Sequence, residues 1–309
     1  MSTQSNVVSE PSFGSQGVAA AAIPVARLMY WSLRRELWEN RAIYVAPVAA
    51  AAVFLFGFSI STILALTGLH AVPWLDPTKH ELFRQPYKYA ENLIMATAFI
   101  VAMFYSVDAL YAERRDRSIL FWKSLPVSDL AMVLSKASIP ILIVPLLAFA
   151  ITVLTQGIML LISSAALLIS GQSVSARWSQ SSIFEMWLML LFHLLCIHGL
   201  WQSPIYGWLL LVSGWAKRAP ILWAVLPPLA IGFGEKAAFN TTYFGSLIGN
   251  RFTGGSEGAA ILEHGGATGS LMVHAPAHFL ISPGLWIGMA FAAAFLVAAI
   301  RIRRYRGPI

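Results

Sequence analysis

Charge is the first thing this sequence lacks. Asp, Glu, Lys and Arg make up 11% of its 309 residues, where a soluble domain carries about a quarter. A chain so poor in charge cannot cover a water-soluble fold, which excludes a soluble enzyme. Its net charge of +7 does not argue for nucleic acid, because the basic residues sort by loop instead of lining one face. Cysteine is almost absent too. Cys196 stands alone inside an apolar segment, so an internal disulfide and a cysteine-based metal site are both excluded. No Lys or Arg precedes Arg27, so the N-terminal stretch lacks the basic start of a secretory signal. Residues 1–24, rich in Ser, Gln, Gly and Ala, read as a disordered tail.

Motifs for chemistry are missing as well. No Gly-x-x-x-x-Gly-Lys-Ser/Thr spacing occurs, and the Gly254-Gly255 and Gly265-Gly266 pairs have no lysine after them, so ATP hydrolysis of the phosphate-loop type is not expected on this chain. Glu263, His264, His274 and His278 crowd one loop, but Pro276 lies between the last two and no Glu follows His274. Solvated loop histidines are the reading, with no catalytic residue and no metal or cofactor assigned to this chain.

Apolar length is what the chain has. Hydrophobic residues make up 58%, gathered into six segments: Ala42 to Leu66, Leu93 to Leu110, Ile139 to Ile169, Trp187 to Val212, Pro220 to Gly234, and Phe279 to Ile300. Most reach the roughly 20 residues needed to cross a bilayer, so the expected fold is an all-α polytopic membrane protein of six transmembrane helices. The fifth segment is short, and Pro227 with Pro228 is expected to break it, the helix resuming as a broken or re-entrant stretch through Phe239 to Leu247. With six spans, fifteen of the 21 Lys and Arg residues fall on one side. The positive-inside rule then places both termini and the loop after span two in the cytoplasm.

Ahead of span one, Val25 to Asn40 reads as a helix lying in the membrane interface. Met29, Leu33 and Leu37 share one face, and Trp31 and Trp38 share another edge with Arg27, Arg34 and Arg35. Within the spans, Asp108, Gln156, Glu185, His193 and His198 are polar groups in apolar surroundings, and Glu235 with Lys236 follows the paired prolines. Such groups mark a bundle interior, an interface or a cavity. Asp108, Gln156, Glu185, His193 and Glu235 are the candidates for a translocation path, with helix-to-helix hydrogen bonding or a headgroup position as the alternative.

The loop from Tyr111 to Asp129 holds four consecutive large apolar residues, Ile119, Leu120, Phe121 and Trp122, among Arg114, Arg115, Asp116, Arg117 and Lys123. Successive residues turn by about 100° around a helix, so the four cannot face one surface. A short helix between the bilayer and a soluble partner would cover all of them. Pro126 would end it, and Ser128 with Asp129 would cap the next helix.

This loop and its surroundings resemble the membrane subunit of bacterial ABC-2 type ATP-driven transporters. Glu113-Arg114, Ser118-Ile119-Leu120, Ser124-Leu125-Pro126-Val127-Ser128 and Lys136 match that family's loop pattern. Ser118 stands where glycine is common, and Arg115-Asp116-Arg117 is more charged than usual. The resemblance implies one transmembrane domain over residues 25–309, an elbow helix over Val25 to Asn40, a coupling helix over Asp116 to Lys123, and a re-entrant external segment over Glu235 to Leu247. It implies a transport subunit, not an enzyme, in the bacterial inner membrane. Two copies of an ABC-type ATPase, carrying ATP and Mg, would dock on Glu113, Arg117, Ser118, Ile119, Leu120, Phe121, Trp122 and Lys123. A second permease subunit, identical or homologous, would complete the path. No nucleic acid is expected as a partner. A non-transporting scaffold that binds a cytosolic partner, or a membrane-embedded hydrolase, is the alternative function.

Overall fold

Among the described residues, six helices are long and apolar enough to cross a bilayer. The computed structural model describes residues 25–69, 84–120, 128–171, 174, 183–254 and 279–306, and all regular structure among them is helical. The elements are α1 (Val25–Glu39), α2 (Ala42–Leu66), α3 (Gln85–Arg115), α4 (Asp129–Ser138), α5 (Val144–Ile169), α6 (Ile183–His193), α7 (Ser203–Trp215), α8 (Pro220–Phe239), α9 (Tyr243–Thr253) and α10 (Pro283–Tyr305). Two π-helical turns, Ile139–Ile143 and Leu194–Trp201, join α4 to α5 and α6 to α7.

The spans are α2, α3, the continuous α4 to α5 rod, α6 with the π turn after it, α8 and α10. Central in the bundle is α3, which packs against α2, α5 and α7, while α7 lies along α10. Its inner face of Ile94, Ala98, Ala102 and Tyr105 joins Ile139, Val144, Leu194, Tyr206 and Leu210 in the main core. The largest span surfaces left outward are those of α8 and α2, as expected where lipid or another subunit takes the place of a core.

Several boundaries extend beyond the apolar segments. Helix α3 begins at Gln85 with Pro86 in its first turn, a position where the missing N–H has no intrahelical partner to lose. Pro86 therefore suits the start of this helix. The third span gains a ten-residue helix at its start, α4, whose N-cap Ser128 accepts a hydrogen bond from the Ala131 N–H at 3.2 Å, as its sequence predicts.

The expected break at Pro227 and Pro228 does not occur, for α8 runs through both. Pro228 has no N–H to give the carbonyl of Ala224, four residues earlier. The indole Nε1 of Trp208, on α7, donates to that carbonyl instead, at 3.0 Å. A neighbouring helix thus repairs the bond that proline removes. The turn comes later, at Asn240, whose φ of 51° is left-handed, and α9 follows as a separate helix.

The two π turns touch each other. A Cβ on Gly199 would stand 2.6 Å from the Ile141 carbonyl oxygen, so only glycine permits this approach of the two backbones.

Candidate functional site

The end of the bundle where α3 finishes and α4 begins is rich in basic residues, and a network of buried ion pairs forms there. Helix α1 contributes Glu36. It shares a face with Leu33 and Leu37, which pack on the main core, and Glu36 itself is 2% exposed. Its carboxylate accepts from Lys136 Nζ at 2.7 Å and from the Tyr105 hydroxyl at 2.9 Å. Arg35 approaches it at 3.4 Å and pairs with Glu39 at 2.9 Å.

Glu113, two residues from the end of α3, forms the second node. Lys136 Nζ lies 3.3 Å from it, and Arg303 of α10 donates to its other oxygen. Arg303 also donates from Nε to Asp129 at 3.1 Å. One guanidinium therefore joins the residue just ahead of the charged loop to the first residue of the helix that follows it. Lys136 and Arg303, both buried, face Glu36, Glu113 and Asp129, and Arg35 approaches Glu36, Glu39 and Glu113. Buried charges of this kind persist only when paired.

Beside these nodes, Arg114 turns toward α7 and donates to the carbonyls of Gly214 at 2.6 Å and Ala216 at 3.1 Å, occupying bond positions that a helix C-terminus leaves open. A cavity of about 490 Å³ opens next to the network between α1 and α3, with Glu39, Asn40, Asp108, Arg115, Asp116 and Ser118 on its wall.

The loop itself starts in a constrained way. Asp116 closes α3, and Arg117 takes a left-handed φ of 58°. Ser118, Ile119 and Leu120 resume a helical course, with Ile119 buried at 1% exposure and Leu120 exposed at 55%. Phe121, Trp122 and Lys123, also expected to dock a partner, lie outside the described residues. So do Ser124 to Val127 and the loop of Glu263, His264, His274 and His278. Among the described residues no group of three or more His, Cys, Asp or Glu gathers to hold a metal ion.

The candidate path residues occupy separate settings. Asp108 is exposed on the cavity wall at the basic end. Gln156, fully buried, accepts from Trp187 Nε1 at 2.8 Å and donates to the Tyr87 carbonyl at 3.3 Å, binding α3, α5 and α6 together. Glu185 is exposed in the first turn of α6. His193 is buried, its ring 5.5 Å from that of His198, and among the described residues its Nδ1 has no hydrogen-bond partner. Glu235 accepts from the backbone N–H groups of Tyr243 at 2.7 Å and Phe244 at 2.8 Å, which caps the start of α9.

Helix α9 is held at its other end by Arg251. Its guanidinium stacks over the Trp201 ring at 4.2 Å and donates to the carbonyls of Trp201 at 3.2 Å and Gly284 at 2.5 Å. It fills the space that Gly288 leaves, since a Cβ there would lie 2.6 Å from it.

Glu36, Tyr105 and Arg303 were not singled out by sequence as functional. Glu36 carried a readable signal, being an acid on the apolar face of an amphipathic helix three residues after Leu33. Arg303 carried none, because it sits among Arg301, Arg304 and Arg306 like any basic end of a span. Comparisons with protein-family models, with curated proteins and with solved structures find no match.

Proposed function

We propose that this chain is the membrane subunit of an ATP-driven exporter of the ABC-2 type, taking its energy from a separate ATPase that docks on the loop over Asp116 to Lys123. The observation that best supports this reading is Arg303 pairing with both Glu113 and Asp129, one on each side of that loop. A loop clamped at both roots cannot be pushed without moving what clamps it. Through Lys136 and Glu36 the same network reaches α1 and α4. Closure of an ATPase pair against the loop would thus be delivered to several helices at once, the kind of bistable shift that switches access across a membrane.

In this reading the basic end faces the cytoplasm of a bacterium, and Glu235 to Leu247, the last residues of α8 with the turn at Asn240 and the start of α9, is the external re-entrant segment. A second permease subunit lies across a shared path, with ATP and Mg on two partner chains. The sparse charge of the spans suits a hydrophobic or amphipathic cargo. Leu120, exposed on the loop, is the residue from which to test docking.

A photo-crosslinking residue placed at Leu120, in cells expressing the full chain, should capture a polypeptide that an ATP photoaffinity probe also labels. The same residue at Leu69, exposed beyond the opposite end of α2, should not. Equal capture at both sites, or capture of a chain that binds no nucleotide, would sink the proposal.

A further inference from the structure

We propose that the outward face of α1 is a binding site for the phosphate of an anionic phospholipid. Arg27, Trp31, Arg34 and Trp38 recur at intervals of three or four along the helix, which places them on one face. All four are exposed, Trp31 at 52% and Trp38 at 68%. Arg41 continues the row at the junction with α2 and is exposed too.

The Arg34 guanidinium lies 5.3 Å from the ring centroids of both tryptophans. It lies over both rings, and its side chain is exposed. Among the described residues neither Arg27, Arg34 nor Arg41 takes part in an ion pair. Glu39, an exposed acid on the same helix, pairs with Arg35. The opposite face of α1 is committed, with Glu36 bound to Lys136 and Tyr105 and with Leu33 and Leu37 on the core. The arginines therefore cannot be neutralised by rotation of the helix toward the bundle.

Position selects the occupant. Helix α1 ends at Glu39 and the apolar helix α2 starts at Ala42, so Trp38 and Arg41, at the end of the row, stand within a few residues of the hydrocarbon edge when α2 crosses a bilayer. Tryptophan favours that depth, and a planar guanidinium matches a phosphate with two parallel hydrogen bonds. An acidic soluble protein would supply charge but would leave two exposed indoles at the depth of the headgroups. The lipid supplies both charge and apolar cover.

Native mass spectrometry of the purified full-length chain, titrated with phosphatidylglycerol and separately with phosphatidylcholine, tests this. Each basic residue near an anionic surface contributes about 1 kcal/mol, or about fivefold in affinity. Arg34→Gln should weaken the tightest phosphatidylglycerol site by about fivefold, and Arg34→Gln/Arg41→Gln by more, without changing phosphatidylcholine. Trp31→Phe/Trp38→Phe should weaken it while every charge is kept. Lys217→Gln/Arg218→Gln, removing two charges from another loop at the same end, should leave it unchanged. The proposal is overturned by unchanged phosphatidylglycerol affinity in the Arg34 variants, by an equal loss in the Lys217/Arg218 variant, or by displacement of the lipid with equimolar inorganic phosphate. Burial of the Cys196 thiol, read by a thiol-reactive dye, confirms that each variant is folded.

Discussion

Lys136 and Glu36 meet at 2.7 Å with both side chains 3% exposed, across 100 residues of sequence. The pair fastens α1 to the start of the third span. Its lysine also serves Glu113, and Glu113 serves Arg303, so charge continuity runs from the first helix to the last.

Removing one member of this network leaves its partners buried and unpaired. Lys136→Met should destabilise the protein by about 3–5 kcal/mol, and Glu36→Gln/Lys136→Met should recover part of the loss, because the uncompensated carboxylate goes with the lysine. The check is thermal unfolding in detergent followed by dye reaction at Cys196, the single, buried cysteine, which becomes reactive when the bundle opens.

Trp208 and Pro228 should be energetically coupled. Trp208→Phe leaves the Ala224 carbonyl without its donor and should cost about 1–3 kcal/mol. In a Pro228→Ala background the restored N–H can take that carbonyl, and the same Trp208→Phe change should cost clearly less. A double-mutant cycle on thermal stability measures the coupling. Additive effects would mean that the indole is not replacing the missing backbone bond.

Gly199→Ala should be costly although alanine is the better helix former. The new methyl would need the space 2.6 Å from the Ile141 carbonyl oxygen, and overpacking of this kind costs about 1–3 kcal/mol. Gly157→Ala, where a Cβ meets nothing within 4 Å, should be neutral or stabilising under the same assay.

Arg117→Gly should stabilise the chain by about 1 kcal/mol by removing a left-handed non-glycine residue, whereas Arg117→Ala should not. Thermal scans of the two variants separate backbone strain from loss of charge.

The spans were legible because length and hydropathy are summed over many residues, and α2 matches its apolar segment, Ala42 to Leu66, to the residue. Helix α1 was legible from its Trp and Arg spacing. What could not be read was anything that a second helix decides. Pro227 and Pro228 look like a break until Trp208 is brought beside Ala224. Arg303 looks like a snorkelling end of a span until Glu113 and Asp129 converge on it. Glu113 fits a docking motif by sequence, yet its side chain is turned inward at 5% exposure and pairs with Lys136 and Arg303. The common cause is that a polar residue's partner is fixed by packing, while its own sequence neighbourhood fixes only the helix that carries it.

The most direct measurement is ATP hydrolysis by material co-purified with the chain from native membranes, comparing the unmodified protein with Phe121→Ala/Trp122→Ala. The expected result is an ATPase subunit that comes down with the unmodified chain and is lost, or hydrolyses ATP without response to cargo, in the variant. Absence of any nucleotide-binding chain from both preparations would contradict the assignment of this protein as a transporter's membrane subunit.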